Sequence, residues 1–533
     1  MKRNISKLFL GLCCSASILM GGCIEETFPT DVATDEQLSS SSKATEALLW
    51  AMPAVLNKFA VVSESNHYDW GYGSIMHIRD VMTEDMAVIS SGYDWYTSWE
   101  ENKSQGESYV YAQFIWNYYW KAVQTANNMI SAIDAETATE EQLGYLGVGY
   151  AFRALFYLDL AQMYEFLEND AVSSVNASGN DVKGLTVPIV REGMTEEEAR
   201  NNPRASREKM AEFILEDLNK AEEYIAKLTI ATKTLPHLDA VYGLKARYYM
   251  WLADYPNAKT YARKAIEASN LSPMNEEACL STTKGFNDIS KWMWGSQMMS
   301  EDEVVKTGIL NWTSWMSNET TFGYSCQEPF LMIGKKLYDR IGDTDFRKLL
   351  WKAPEGSSLA NKVSFINADF KEKLSEYASV KFRPAEGNVD DYTVGAASAY
   401  PLMRVEEMYF IEAEAAAHTN ASEGKTLLET FMKTYRNPSY LCKSSDVVEE
   451  IVFQKRVELW GEGLTFFDVK RLNMSVTRSY AETNFGDTKL FNTNGRPAWM
   501  NICIVQTEKN NNAALIGFEN PDPSDKYPLI PAK

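Results

Sequence analysis

Histidine is scarce: there are four among 533 residues, His67, His77, His237 and His418, and no two stand at a metal-ligating interval. Cysteine is nearly as sparse. Of seven, Cys13, Cys14 and Cys23 fall in the N-terminal stretch, while Cys279, Cys326, Cys442 and Cys503 form no C-x-x-C pair. Such spacing argues against a zinc site and against a disulfide-stapled scaffold. H-E-x-x-H, G-x-S-x-G, the P-loop and a strand-linked G-x-G-x-x-G are all missing, which removes the common metallohydrolase, serine-hydrolase and nucleotide-binding readings. "STTK" (Ser281 to Lys284) with "KTG" (Lys306 to Gly308) imitates a penicillin-recognising enzyme, but the two lie too close to hold a domain between them. Asp339, Asp343 and Asp345 in "DRIGDTDFRK" lack the loop length and terminal Glu of an EF-hand, so they read as a turn stabilised by aspartates. No cofactor and no metal are expected. Positive charge is short as well: 52 Lys and Arg face 73 Asp and Glu. The net charge of −21 repels phosphate backbones and anionic lipid, so nucleic acid is a poor partner.

The N-terminal stretch is basic, unlike the acidic chain as a whole. "MKRNISK" is a basic start, "LFLGLCCSASILM" an apolar run too short to span a bilayer, and "GGC" ends it at Cys23. Residues 1–22 read as an export signal that resembles a bacterial lipoprotein leader, with Met20 where that pattern usually has Leu, and Cys23 as the lipidated residue. Without those 22 residues, which hold Lys2, Arg3 and Lys7 and no acid, the charge is −24, three below that of the whole chain. "EETF" after the Cys resembles an acidic signal for export to the outer face of the outer membrane. Residues 23–44 are polar and Ser-rich without periodicity, the composition of a tether.

Beyond the tether, helical periodicity dominates. The stretches 109–133 and 145–167 are long, apolar on most faces and free of internal Pro, and Gly144, Gly147 and Gly149 give the second a smooth flank for close packing. Residues 206–226 place Met210, Phe213, Ile214, Leu218 and Ala221 at helical spacing, opening on Ser206. Residues 239–269 read as two antiparallel helices joined at "DYPN", with small and aromatic residues near the positions of a tetratricopeptide unit. From 280 to 399 the character changes to loops and short strands, with Trp292 and Trp294 in a buried strand. Helical periodicity returns at 400–419, where Pro401 suits a first turn, and again after Asp446, which forms a capping box with Glu449. The Asn-, Gly- and Pro-rich tail beyond 480 is expected to wrap the surface.

The densest charge pattern lies in "QKRVELWGEGLTFFDVKR" (454–471). Arg456, Glu458, Glu462, Asp468, Lys470 and Arg471 alternate in sign among Val457, Leu459, Trp460, Phe466 and Phe467, as a buried ion network fixing helix packing would. These residues, with Gly463, resemble the C-terminal signature of the SusD/RagB family of outer-membrane nutrient-binding lipoproteins. "PLMRVEEMYFIEAEA" (401–415), "GYAFRALFYLDLAQMYE" (149–165), "GLTVPIV" (184–190) and the tetratricopeptide pair resemble further family segments, in the family's order. The resemblance implies a mainly α fold, with tetratricopeptide-like helix pairs as scaffold and a loop-rich ligand-binding face bearing short strands. By that implication 45–279 is the N-terminal helical region, 280–399 the loop-rich ligand-binding region and 400–533 the C-terminal helices and tail. It further implies a non-catalytic protein that captures a glycan and delivers it to a SusC-like TonB-dependent transporter. Peptide cargo, as in RagB-like members, is compatible with the same fold and location. A secreted glycosidase is a third reading, which needs a carboxylate pair that nothing in the sequence picks out.

Aromatic residues make up 12% of the chain, including 14 Trp, and one run stands apart from any helix: "SSGYDWYTSWEE", Ser90 to Glu101. A flat ring covers the C–H face of a pyranose at little entropic cost while neighbouring polar groups take the hydroxyls. Tyr93, Trp95, Tyr96 and Trp99 are candidate platform residues, with Asp94, Glu101 and Asn102 as acceptors. Trp95 and Trp99 share a face if the segment is helical; Tyr93 and Trp95 share one if it is extended. On the resemblance, Arg79 stands where the family has a polar ligand contact, and Asn311, Trp312 and Trp315 stand where it supplies an opposing wall. The rival run 66–74, "NHYDWGYGS", is expected to be packing.

Overall fold

The structure, a computed structural model, describes residues 42–89 and 92–532. The export signal, Cys23 and the tether up to residue 41 lie outside the described residues, as do Ser90 and Ser91. The first helix, α1 (Ser42–Leu56), begins inside the stretch read as tether. It is followed by α2 (Tyr72–Val81), strand β1 (Met86–Val88), the single turn α3 (Thr97–Glu100), and the long helices α4 (Val110–Ser131) and α5 (Glu140–Tyr164). Next come α6 (Arg207–Ile225), α7 (Leu238–Trp251) and α8 (Tyr255–Ser269). The middle region contributes β2 (Trp294–Gln297), the short α9 (Trp312–Met316), β3 (Leu331–Ile333) and β4 (Ala399–Met403). The C-terminal third contributes α10 (Val405–Thr419), α11 (Ala421–Tyr435), α12 (Val447–Glu458) and α13 (Thr465–Arg471).

The helices pack in series: α4 on α5, α5 on α6, α6 on α7, α7 on α8, α8 on α10, and α10 on both α11 and α12. Local chemistry sets their ends. Thr139 and Gln142 form a reciprocal capping box that starts α5. Asp254 caps α8 with Pro256 in its first turn, which closes the predicted helix pair at "DYPN". Gly144 and Gly147 let α6 approach α5 closely: a Cβ on Gly147 would stand 2.6 Å from the Ile225 nitrogen. The strands form two antiparallel pairs, β1 with β3 and β2 with β4. One continuous core joins the three predicted regions, and a smaller cluster around Phe410, Leu428, Phe431 and Ile451 sits under α11.

Two expectations are corrected in this region. Pro401 does not open a helix; it pairs with Gly295 in β4, where a register irregularity tolerates its missing N–H, and α10 starts only at Val405. Asp446 caps α12 by accepting from the Glu449 N–H at 3.0 Å, but the Glu449 carboxylate turns away to Arg340. The aspartates of "DRIGDTDFRK" are each held by a cation: Asp339 by Lys335, Asp343 by Lys348 and Asp345 by Arg347.

The charged run 454–471 is a buried clamp. Glu458 holds Arg436 at 2.7 Å and Arg404 and Arg347 at 3.2 Å; Glu462 holds Lys381 at 2.7 Å and Arg404 at 2.8 Å. Arg456 pairs with Asp85, the Trp460 indole N–H donates to the Asp85 carbonyl, and the Gly463 N–H donates to Asp80. These contacts pin the end of α2 and the start of β1 to the C-terminal helices, and so orient the segment that carries the aromatic run.

Candidate functional site

Between Gly92 and α3 the chain is irregular and turns at Trp95 and Tyr96, and its side chains alternate between solvent and interior. Tyr93 is 59% exposed and Trp95 37%, whereas Asp94 turns inward and Tyr96 is fully buried. Gly92 makes this possible with φ of 81°, in the left-handed region that favours glycine. Asp94 then turns the chain: its carboxylate accepts from the Tyr96 N–H, and its carbonyl accepts from the Thr97 hydroxyl, both at 2.9 Å. This turn at Trp95 and Tyr96 leads directly into α3, which carries Trp99 into the core.

The exposed indole of Trp95 is backed by a column of rings. His67 stacks on it with centroids 4.3 Å apart and planes 25° apart. The His67 Nδ1 hydrogen-bonds the Tyr324 hydroxyl, and Tyr324 stacks on Trp315 at 4.1 Å and 13°. Trp315 in turn meets Tyr96 edge-on at 4.8 Å. Tyr324 is held in place by its own N–H, which donates to the Ser314 hydroxyl at 2.9 Å. Gly323 precedes it at φ of 81°, where a Cβ would strike that same serine. Burial lowers the His67 pKa, which favours the neutral ring. Burial pushes the Tyr324 phenol up to about 12, against a hydrogen bond to Trp95 that acts the other way. The plate is uncharged at neutral pH, and its Trp95 ring stays 37% exposed.

Several residues expected at the ligand are instead structural. Trp99 is buried among Tyr68, Tyr96 and Tyr111, so it does not share a face with Trp95. Tyr96 is consumed by hydrogen bonds with the Trp70 indole and the Ser74 hydroxyl. Arg79 is buried, paired with Asp159 at 2.7 Å and covered by Phe467, so its fork ties α2 to α5 and cannot meet a sugar. Asn102 donates to the Pro523 carbonyl and fastens the C-terminal tail. Asn311 caps α9, accepting from the Ser314 N–H at 2.9 Å. Trp312 lies in the core, stacked on Tyr400 at 4.9 Å, and Trp315 supports the column from beneath. Glu101 pairs with Lys103 at 2.8 Å.

Asp94 faces a second buried acid. Glu100 forms an ion pair with Lys489, and burial together with the Asp94 carboxylate raises its pKa well above the usual range. Both acids are buried and turned toward Lys489. His67 and Tyr324 are residues of the candidate plate to which the sequence reading did not point. They stand 257 residues apart in the chain, and no periodic pattern connects them.

Comparison with known proteins bears on the family and the fold. Residues 31–250 match the profile described as SusD-like, "Starch-binding associating with outer membrane", and residues 354–516 match that of the SusD family, SusD_RagB. No curated protein matches. Among solved structures, a SusD-like carbohydrate binding protein from Bacteroides vulgatus ATCC 8482 is 21% identical, with a TM-score of 0.68 over 89% of this chain and 96% of its own. A SusD superfamily protein from Bacteroides thetaiotaomicron VPI-5482 is 17% identical, with a TM-score of 0.66 over 90% and 99%. A laminarin binding SusD-like protein is 16% identical, with a TM-score of 0.58 over 89% and 98%. At these identities the structural likeness speaks for the fold, a mainly helical one with helix pairs in series, while the two sequence profiles, covering most of the chain between them, speak for descent. The chain belongs to the SusD/RagB family.

Proposed function

We propose that this protein captures oligosaccharide or polysaccharide at the cell surface on the Trp95 plate and delivers it, without cleaving it, to a SusC-like TonB-dependent transporter. The observation that carries the reading is the Trp95 indole, stacked on His67 and one-third open to solvent beside the exposed Tyr93. An uncharged, pre-ordered ring face suits the C–H face of a sugar and offers nothing specific to the charged termini of a peptide. The family profile's wording and the laminarin-binding neighbour support a glucan as the first ligand to try. A lipid on Cys23 would hold the protein at the outer membrane; among the described residues no helix is long and apolar enough to cross one.

The test is native electrophoresis of the chain beginning at Ile24 through gels containing starch, laminarin or other neutral polysaccharides, with a reducing-end assay alongside. Retardation by one glycan class with no reducing ends released is the expected result. Release of reducing ends would make the protein a hydrolase. Absence of retardation in every gel would remove glycan as the cargo and bring peptides forward.

A further inference from the structure

A cavity of about 240 Å³ lies between the ends of α5 and α7 and the signature helix α13. Its wall includes Glu165, Arg207, Trp251, Lys470, Arg471 and Arg496, four cations to one acid in a chain whose net charge is −21. Two of the cations are already matched: Arg471 pairs with Asp468 at 2.7 Å and with Glu414, and Arg207 pairs with Glu165 at 2.8 Å. Glu165 is used up by these contacts, since its other oxygen accepts from the Trp251 indole at 3.0 Å.

Lys470 and Arg496 are different. Lys470 is only 3% exposed, and its ammonium donates to the Met163 carbonyl at 3.0 Å. Arg496 is half-buried and donates to the carbonyls of Lys470 at 2.6 Å and Glu168 at 2.8 Å. Neither has a carboxylate partner among the described residues. Behind them Arg204 is likewise spent on carbonyls and on Asn520. Burial pushes Lys470 well below the ordinary lysine range, with Arg496, Arg204 and Arg207 adding to that against Glu165. Cations gathered at a cavity without matching acids carry an uncompensated desolvation cost that an entering anion would offset.

We infer that this cleft binds a single oxyanion, a carboxylate, sulfate or phosphate, on a unit no larger than about one sugar ring, with Arg496 as its charge partner and Lys470 as a second donor. The volume sets the size limit, since it is smaller than the roughly 300–1,000 Å³ of sites for drug-sized molecules. The Trp251 ring in the same wall gives a ring-bearing ligand an apolar face to lie on. This site shares no residue with the Trp95 plate and stands whether or not that plate binds glycan.

Isothermal titration of the chain beginning at Ile24, at low ionic strength, with galacturonate, sodium sulfate, sodium phosphate and neutral galactose tests it. At least one anion is expected to bind where galactose does not, with affinity falling as sodium chloride rises. Arg496→Gln is expected to weaken that binding at least tenfold, and Arg496→Lys to restore part of it, which separates lost charge from lost fold. Tighter binding of galacturonate than of the inorganic ions assigns the anion to a sugar; the reverse order assigns a free oxyanion. Binding of no anion above the level of galactose, or binding unchanged in both Arg496→Gln and Lys470→Met, would overturn the inference.

Discussion

Glu458→Ala removes the central acid of the buried clamp, and its cost depends on the partners each arginine retains. Glu458 touches Arg436, Arg404 and Arg347, all buried. Arg404 keeps Glu462 at 2.8 Å and Glu406 at 3.1 Å, and Arg347 keeps Asp345 at 2.7 Å. Only Arg436 is left with a single distant acid, Glu406 at 3.5 Å. The loss therefore corresponds to one broken buried pair, ~3–5 kcal/mol, and not to three. An unfolding entropy of roughly 2.1 cal/mol/K per residue gives a cooperative unit of this length about 1 kcal/mol/K, so the melting temperature should fall by about 3–5 °C. Glu458→Gln, which keeps the shape and one acceptor, should fall by less. Scanning calorimetry of the three proteins, with glycan retention measured below the transition, gives both readouts. If Glu458→Ala melts with the parent, or loses retention while melting with it, the clamp is not structural and the signature belongs to a binding or catalytic site.

Gly147→Val would place a Cβ against the Ile225 backbone, which cannot yield as a side-chain tip can. The resulting separation of α5 from α6 should cost ~1–3 kcal/mol, read as a lower urea midpoint. For Glu414, burial alone would raise the pKa, but Arg471 and His418 bring it down from 4.5 to about 2. A depressed carboxylate stabilises the fold above its unfolded pKa and loses that contribution as pH falls. The advantage of the parent over Glu414→Gln should thus be fully present at neutral pH and shrink as pH falls below the ordinary glutamate value of 4.5, read as converging melting temperatures. Among the four cysteines of the described residues, Cys326 alone is partly exposed, so a thiol reagent should label one site quickly in the native protein and the other three only on unfolding.

The scaffold was largely legible because its signals are local and periodic. The apolar spacing of 206–226, the glycines of α5 and the "DYPN" joint each report on neighbours within a few turns. The charge alternation in 454–471 was legible for a related reason: so many paired signs among large apolar residues have few places to go but a buried network. The site was harder. Trp95 and Trp99 sit in one short polar run and look alike, yet one turn of helix at Thr97 sends them to opposite fates. Asn311 in "NWTS" is placed at the ligand by the family resemblance alone, and it forms a helix cap instead. Arg79 finds its acid 80 residues away, at a distance where sequence carries no pairing signal. What converts Trp95 into a plate is His67 and Tyr324, contributed by two remote loops.

Titration of the retained glycan into Trp95→Ala, set beside the parent and with melting temperatures of both, addresses the glycan-capture reading most directly. Removing a partly exposed ring that stacks on one neighbour should cost only ~0.5–1.5 kcal/mol of stability, whereas truncating a buried tryptophan such as Trp315 should cost ~3–5 kcal/mol. The expected result is a nearly unchanged melting temperature with affinity reduced at least tenfold, or ~1.4 kcal/mol. Unchanged affinity in a folded Trp95→Ala protein would contradict capture on this plate.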